Sequence, residues 1–153
     1  MKAIIKILVC ISPILLGGVC EMVPMSDPVE YEDVIGEYKA NFSDEFIDML
    51  TLNTDSTYVH YFKSSLGVVH VDTNSWRLDY LEYKDDNKRH AVVMLNAYKC
   101  RFASEPSIDF RMKKYQQNPD DSTDTTMGLG VFKKDGSIAI GFETYGNTYK
   151  KIK

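Results

Sequence analysis

The 153-residue chain has few cysteines and no long basic run. Only Cys10, Cys20 and Cys100 are present, whereas small domains built on disulfides carry about four cysteines or more. Lysine and arginine number 18 against 22 aspartates and glutamates, and the basic runs are pairs such as Lys113 and Lys114. A disulfide scaffold is therefore excluded. Nucleic acid is not an expected partner, because proteins that bind it carry a basic face.

The chain also lacks the short motifs that mark several enzyme classes. It contains no zinc-protease His-Glu-x-x-His, no Gly-x-Ser-x-Gly elbow, no Ser-x-x-Lys set, no phosphate loop and no dinucleotide glycine fingerprint. Acidic pairs at residues 44–45, 85–86 and 120–121 have the composition of a glycosidase site, but each lies at a predicted turn, where aspartate bonds its own backbone. We therefore predict no catalytic residue and no cofactor, and we expect that the protein is not an enzyme.

The amino terminus carries the features of an export signal. Lys2 and Lys6 precede an apolar run over residues 7–16, which is too short to span a bilayer comfortably, and small residues lead to Cys20. This segment resembles the signal of bacterial lipoproteins. The resemblance implies that residues 1–20 are removed up to Cys20, which becomes the lipidated amino terminus and anchors the protein in the cell envelope. An unmodified Cys20 is the alternative, and it would allow a Cys20–Cys100 disulfide in an oxidising compartment.

Removal of the signal makes the protein more acidic and leaves one domain. Lys2 and Lys6 are the only charged residues that leave, so 16 basic side chains face 22 acidic ones and the net charge becomes −6. Residues 21–33 are acidic, contain Pro24 and Pro28, and are predicted to be a tether. Residues 34–153 are enough for a single domain with its own core.

From residue 34 onward, short apolar stretches alternate with polar turns. Candidate strands cover residues 35–40, 48–52, 57–63, 68–72, 75–81 and 89–95, followed by an irregular stretch in which Phe102, Ile108, Phe110 and Met112 are apolar. A polar loop over residues 116–126 leads to a hairpin of residues 127–133 and 137–142, whose Asp135-Gly136 turn requires positive φ, and to a last strand within residues 145–152. The pattern predicts an all-β fold, an antiparallel up-and-down barrel or a strongly curled sheet of about eight strands.

Three short motifs lie in the predicted first hairpins: Gly36-x-Tyr38, Leu50-Thr51-Leu52-Asn53-x-Asp55-x-Thr57-Tyr58 and Ser75-Trp76-x-Leu78. In this order and spacing they resemble the opening hairpins of small bacterial exported lipocalin-like lipoproteins. It implies a barrel that holds a small apolar or amphipathic ligand in its mouth, or a partner on its rim.

His60 and His70 are the sharpest candidate pair for a metal. If three residues connect their strands, His60 faces His70 and both rings reach one ion, with Asp72 as a third ligand. A four-residue connection places His60 opposite Val71 and the two rings on opposite faces. Structural zinc takes four ligands, so we predict no metal and expect both histidines to face solvent.

Cys100 lies between Lys99 and Arg101, two cations of the kind that lower a thiol pKa. No histidine with an orienting asparagine or aspartate can be assigned to it as a base. We therefore expect Cys100 to be a small buried hydrophobe or an idle thiol.

Aromatic residues are the other candidates for function. Alternation puts Tyr58, His60 and Phe62 on one strand face and Val59 and Tyr61 on the other, so both faces are partly apolar. Tyr38, Trp76 and Phe142 are expected to fill one end of the barrel. The predicted ligand-binding or partner-binding residues are Tyr58, His60, Tyr61, Phe62 and Trp76.

Two functions follow from these observations. The first is a lipid-anchored barrel that holds a small apolar or amphipathic ligand. The second is an acidic envelope module that binds a protein, as an inhibitor, an immunity factor or an assembly subunit. The volume inside the barrel separates the two, because an empty apolar cavity favours the first and a packed interior favours the second.

Overall fold

The computed structural model describes residues 23–24, 29–83, 88–107, 126–134, 136–142 and 147–153. The described part begins with a two-residue strand and a short helix, and continues as eight strands with one 3-10 helix after the fifth of them. The elements are β1 (Val23–Pro24), α1 (Tyr31–Val34), β2 (Gly36–Ala40), β3 (Ile47–Leu52), β4 (Thr57–Lys63), β5 (Val69–Tyr83), β6 (Lys88–Leu95), the 3-10 helix (Arg101–Ser104), β7 (Met127–Lys134), β8 (Ser137–Phe142) and β9 (Asn147–Lys151). Neither described helix has the length and apolar character needed to cross a membrane.

Strands β2 to β9 form one closed antiparallel barrel. Each strand pairs with the next along the chain, and β9 pairs with β2 to close the ring. This confirms the predicted all-β, up-and-down barrel of eight strands. Its upper end carries the loops over residues 41–46 and 64–68, and its lower end carries the turns over residues 53–56 and between β7 and β8.

The predicted break between residues 72 and 75 is wrong. Residues 69–83 form a single strand that changes partner: Val69 to Ser75 pair with β4, and Trp76 to Tyr83 pair with β6. Asn74, which has turn propensity, stays in the ladder opposite Tyr58 and accepts a bond from the adjacent amide of Ser75 through Oδ1. Pairing with β4 therefore overrides the local preference of Asn74 for a turn.

The hairpin of β7 and β8 agrees with its prediction. Lys134 pairs with Ser137, and Gly136 has φ of +75°, the positive value that a tight turn requires. Residue 135 lies outside the described residues. So do Ile108, Phe110, Met112 and the loop over residues 116–125.

Part of the predicted tether packs against the lower end of the barrel. Val29 and Val34 are buried, and the ring of Tyr31 stacks on that of Trp76 with centroids 4.6 Å apart. The Tyr38 hydroxyl donates to the Val34 carbonyl at 2.6 Å. Further out, Val23 pairs with Lys133 near the lower end of β7. The segment before β2 therefore contacts the barrel at two places: residues 29–34 pack against its lower end, and β1 pairs with β7.

Candidate functional site

The interior of the barrel is occupied by the chain's own side chains. Successive residues of a strand point to opposite faces, and the inward ones are large and buried. They include Tyr38, Leu50, Leu52, Tyr58, Phe62, Trp76, Val93, Leu95, Leu129, Val131, Ile140 and Tyr149. Tyr38 and Trp76 thus lie in the core as predicted, whereas the side chain of Phe142 lies outside the described part.

The connection after β6 adds to this filling. Tyr98, Cys100, Phe102 and Ala103 all belong to the buried core cluster. Phe102 meets Phe42 with ring centroids 4.4 Å apart, and Tyr58 donates its hydroxyl to the Asn96 carbonyl at 2.8 Å. Burial raises the pKa of Tyr58 to about 12, so its hydroxyl keeps its proton at neutral pH. Residues 98–103 therefore fill the upper part of the barrel, and we call this segment the plug.

Four buried polar side chains form a network inside the barrel. Oδ1 of Asp48 accepts a hydrogen bond from the Tyr149 hydroxyl at 2.8 Å and lies 2.9 Å from Nε2 of His60. Opposite a carboxylate oxygen, that nitrogen carries the hydrogen and donates. The hydroxyls of Tyr98 and Tyr149 are 2.7 Å apart, and because Tyr149 donates to Asp48, Tyr98 donates to Tyr149. We call Asp48, His60, Tyr98 and Tyr149 the Asp48 network.

The Asp48 network is shielded from solvent. His60, Tyr98 and Tyr149 have no exposed surface, and Asp48 is 2% exposed. Burial, followed by the nearby charge of Asp48, raises the pKa of both tyrosines well above its ordinary value, so both hydroxyls remain donors. The network links β3, β4 and β9 with the segment after β6, and it leaves Oδ2 of Asp48 and Nδ1 of His60 buried without a hydrogen-bond partner among the described residues.

A second polar pair lies closer to the surface. Arg101 makes two bonds to Asp72, from Nε at 2.7 Å and from Nη2 at 2.8 Å. Burial acts to raise the pKa of Asp72, but hydrogen bonding and the charge of Arg101 outweigh it and hold that pKa below its usual value. Nζ of Lys99 lies 4.0 Å from the same carboxylate. Both cations that flank Cys100 in sequence are therefore directed to Asp72.

Cys100 is a free and buried thiol. Burial, followed by the charge of Asp48, raises its pKa, so the flanking cations do not activate it. This confirms the expectation of a small buried hydrophobe. Cys20 lies outside the described residues, so its lipidation stays a prediction.

The predicted registers of His60 are both wrong. Five residues, 64–68, connect β4 to β5, so His60 pairs with Asp72, and His70 pairs with Phe62. His60 is buried instead of facing solvent, while His70 is half-buried. Within the described ranges, no group of three or more His, Cys, Asp or Glu side chains is placed to hold a metal.

The outward face of β3, β4 and β5 is largely apolar toward the upper end of the barrel, and part of it is exposed to solvent. Val71 is 59% exposed, Val69 50% and Ile47 39%, and Tyr61 lies between Met49 and Val71 in the ladder. Leu66 and Val68 extend this face onto the connecting loop, with Leu66 91% exposed. We call this surface the β3–β5 wall; it comprises Ile47, Met49, Val59, Tyr61, Lys63, Leu66, Val68, Val69 and Val71.

Described residues line several grooves at the surface. One groove of about 440 Å³ runs between the loop before β3 and the loop after β4, from Asp44 to Leu66. A neighbouring groove of about 610 Å³ shares Asp44, Phe46 and Ile47 with it and reaches Lys150 and Ile152. A third, of about 310 Å³, lies beside Asn74 and Asn96. The first two border the β3–β5 wall.

The structure separates the predicted site residues into two groups. Tyr58, His60, Phe62 and Trp76 line the packed interior, and Tyr61 alone lies on the outer wall. Sequence reasoning missed Asp48, Tyr98 and Tyr149, and it missed the exposed valines of β5. The signal for Asp48 was its alternation with Leu50 and Leu52, and the signal for the valines was their alternation around His70.

No protein-family model, curated protein or solved structure matches this chain.

Proposed function

We propose that this protein is an exported, lipid-anchored barrel that binds a protein partner on its outer surface and performs no catalysis. The observation that carries the proposal is the filled interior beside an exposed apolar wall. An eight-stranded barrel either fills its interior with side chains or encloses one small ligand. Here the inward residues and the plug after β6 occupy that space, whereas Leu66, Val69 and Val71 remain exposed.

A ligand inside the barrel would have to displace bonded groups. The Asp48 network links β3, β4, β9 and the plug by bonds of 2.7 to 2.9 Å. Opening this region would leave buried polar groups without partners, at about 1–3 kcal/mol for each group. This cost supports binding outside the barrel over binding inside it.

The position of the amino terminus supports a short anchor. Cys20 precedes Val23 by three residues, and Val23 pairs with Lys133 at the lower end of β7. Three extended residues span at most about 11 Å. A lipid on Cys20 would therefore hold the lower end of the barrel close to a membrane of the cell envelope. Intact-mass measurement of the mature protein should show a lipidated Cys20, and Cys20→Ser should release a soluble domain.

The experiment that tests the function compares two kinds of ligand. The mature Cys20→Ser protein is titrated with an apolar fluorescent probe, anilinonaphthalene sulfonate, and is used in parallel to isolate partners from envelope extract. We expect no stoichiometric uptake of the probe and a protein complex of defined stoichiometry by size-exclusion chromatography. Saturable one-to-one probe binding that survives in the folded protein would support the small-ligand alternative. Hydrolysis of an envelope substrate that is lost in a His60 or Cys100 variant would show that the protein is an enzyme.

A further inference from the structure

The β3–β5 wall exposes large apolar side chains next to one another, namely Ile47, Leu66, Val68, Val69 and Val71. We propose that this wall is the docking surface, and that it receives a protein with an apolar face and a carboxylate opposite Lys63. This inference rests on the proposed function, because it names the surface and the chemistry of the partner. Exposed contiguous apolar area of this kind marks contact sites on soluble domains.

The ladder fixes which side chains form the wall. Ile47 pairs with Lys63 and Lys63 with Val69, which makes one row. Met49, Tyr61 and Val71 make the next row toward the lower end. Directly paired residues on one face have Cβ atoms about 4.5–5.5 Å apart, so each row is a continuous strip. Tyrosine at the centre suits an interface, because it is large, rigid and polar at one end.

The loop at the upper end of the wall is braced. Ser64 donates its amide to the Val68 carbonyl at 2.9 Å, and Gly67 takes φ of +84°. The amide and hydroxyl of Ser65 both donate to Oε2 of Glu105, at 3.2 and 2.7 Å. These bonds hold Leu66 in solvent on an ordered turn. Because the backbone of this turn is already ordered, Leu66 loses only side-chain entropy when it enters a pocket.

The positive charge of Lys63 indicates that the partner carries a negatively charged group at this position. Among the outward positions at residues 47–51, 57–63 and 69–75, Lys63 is the one charged side chain, and it is exposed. It makes no ion pair with the described residues, although Asp44 and Glu45 line the same groove. A carboxylate on the partner would be attracted to Lys63 and would set the register of an otherwise apolar contact.

The anchor geometry argues against the membrane as the occupant. β7 lies three strands from β4 and four from β3 in a ring of eight, which is the far side of the barrel. Val23 joins β7 at its lower end, whereas the loop with Leu66 lies at the upper end. If a lipid on Cys20 anchors the barrel in a bilayer, the β3–β5 wall therefore faces away from that bilayer.

A second copy of this chain is also disfavoured. Two copies anchored in one membrane and related by a two-fold axis along its normal would keep the same height at their contact. Their Lys63 side chains would then meet at the same level, within an acidic molecule whose mature net charge of −6 also opposes self-association. A different protein with a carboxylate at that level avoids the contact between two Lys63 side chains.

Site-specific photo-crosslinking in the cells that make the protein tests the inference. Benzoylphenylalanine is placed in the full chain at Leu66 or Val71, and at Arg77 as the control. Arg77 is on the outward face of the same strand, is 56% exposed, and lies beyond the wall. We expect one discrete protein adduct from the two wall positions and none from Arg77. In the same assay Lys63→Glu should reduce the adduct at least tenfold, and Lys63→Arg should retain it.

The identity of the adduct decides between occupants. A carboxylate-to-lysine change in the captured protein should restore crosslinking to Lys63→Glu, which a structural effect of Lys63 would not do. An adduct that contains only a second copy of this chain, or only lipid, overturns the inference. A protein adduct from Arg77 but not from the wall also overturns it, while leaving the proposed function in place. Absence of any protein adduct, together with one-to-one uptake of the apolar probe, overturns both.

Discussion

Tyr149 on β9 donates a hydrogen bond of 2.8 Å to Oδ1 of Asp48 on β3, although β2 lies between these two strands. The bond therefore crosses the barrel interior rather than following the ladder. Asp48 also accepts a hydrogen bond from His60 on β4, so one carboxylate oxygen links β3, β4 and β9 inside the barrel. Because the site is buried, each of these donors offsets the cost of keeping the carboxylate out of water.

Tyr149→Phe should destabilise the protein by about 1–3 kcal/mol, the typical cost of leaving a buried acceptor short of a donor. Tyr98→Phe is the matched control, since it removes a hydroxyl from the same network but leaves the bond from Tyr149 to Asp48 in place. We expect it to cost less. Urea unfolding followed by circular dichroism measures both. An equal or larger loss for Tyr98→Phe would contradict the central role of Asp48.

Asp72→Asn should lower the stability of the protein in a pH-dependent way. Arg101 holds the folded-state pKa of Asp72 below its ordinary value of 3.8. A carboxylate of this kind contributes stability that is present above the unfolded pKa and is lost as the pH falls through the folded one. The difference from wild type should be about 1–2 kcal/mol at neutral pH and should vanish on acidification below pH 3.8.

The control for Asp72 is Lys99→Ala. Lys99 contacts the same carboxylate at 4.0 Å from a largely exposed position, so its loss should change stability only slightly. Denaturant unfolding of the three proteins across the acidic range gives the comparison. A stability difference for Asp72→Asn that is independent of pH would show that the ion pair is not its cause.

Cys100 should resist alkylation in the native protein. Its thiol is buried and its pKa is raised, so little thiolate is present at neutral pH. Iodoacetamide labelling of the mature Cys20→Ser protein, read by mass spectrometry, should be slow in buffer and complete in denaturant. Rapid labelling in buffer would place Cys100 at an accessible site.

Gly136→Val should destabilise the β7–β8 hairpin by more than the roughly 1 kcal/mol typical of point changes. Gly136 has φ of +75°, which a β-branched residue resists. A Cβ at this position meets no atom within 4 Å, so backbone conformation rather than crowding is responsible. Gly136→Asn, which tolerates positive φ, should lose much less in melting temperature. Equal losses for the two variants would argue against this cause.

Tyr61→Ala and Tyr58→Ala should separate binding from folding. Tyr61 lies on the β3–β5 wall, so its truncation should weaken partner binding and leave the melting temperature nearly unchanged. Tyr58 is fully buried and bonds the Asn96 carbonyl, so its truncation should cost about 3–5 kcal/mol, as for other large aromatic core residues. Loss of the fold in Tyr61→Ala would show that Tyr61 belongs to the core.

The sequence predicts the barrel well because its hairpins carry local signals. Alternation of apolar residues marks β3, β4 and β6, and the Asp-Gly pair marks the turn before β8. The long strand β5 is not predicted, since Asn74 has turn propensity and only its pairing with Tyr58 keeps it extended. The register of His60 fails for a similar reason: it depends on a five-residue loop whose length the composition does not determine.

The candidate sites are less predictable than the fold. Asp48 and Tyr149 are 101 positions apart in sequence, so no local pattern joins them. The β3–β5 wall is not predicted for another reason. Tyrosine and valine, as at Tyr61 and Val71, are also common in protein cores, so residue type does not show that these side chains face outward. Only the closure of the barrel determines which face of each strand is inside. Alternation groups the residues of each face correctly but does not say which group is buried.

Trp76 also gives the protein a built-in optical reporter. It is the only tryptophan in the chain, it is 2% exposed, and its ring stacks on Tyr31 at 4.6 Å with 7° between the planes. Its indole nitrogen donates to the Asn53 carbonyl at 3.1 Å. Detachment of residues 29–34 from the lower end of the barrel would uncover this ring while the strands stayed paired. The emission wavelength of a single fluorophore therefore distinguishes release of the amino-terminal segment from unfolding of the barrel.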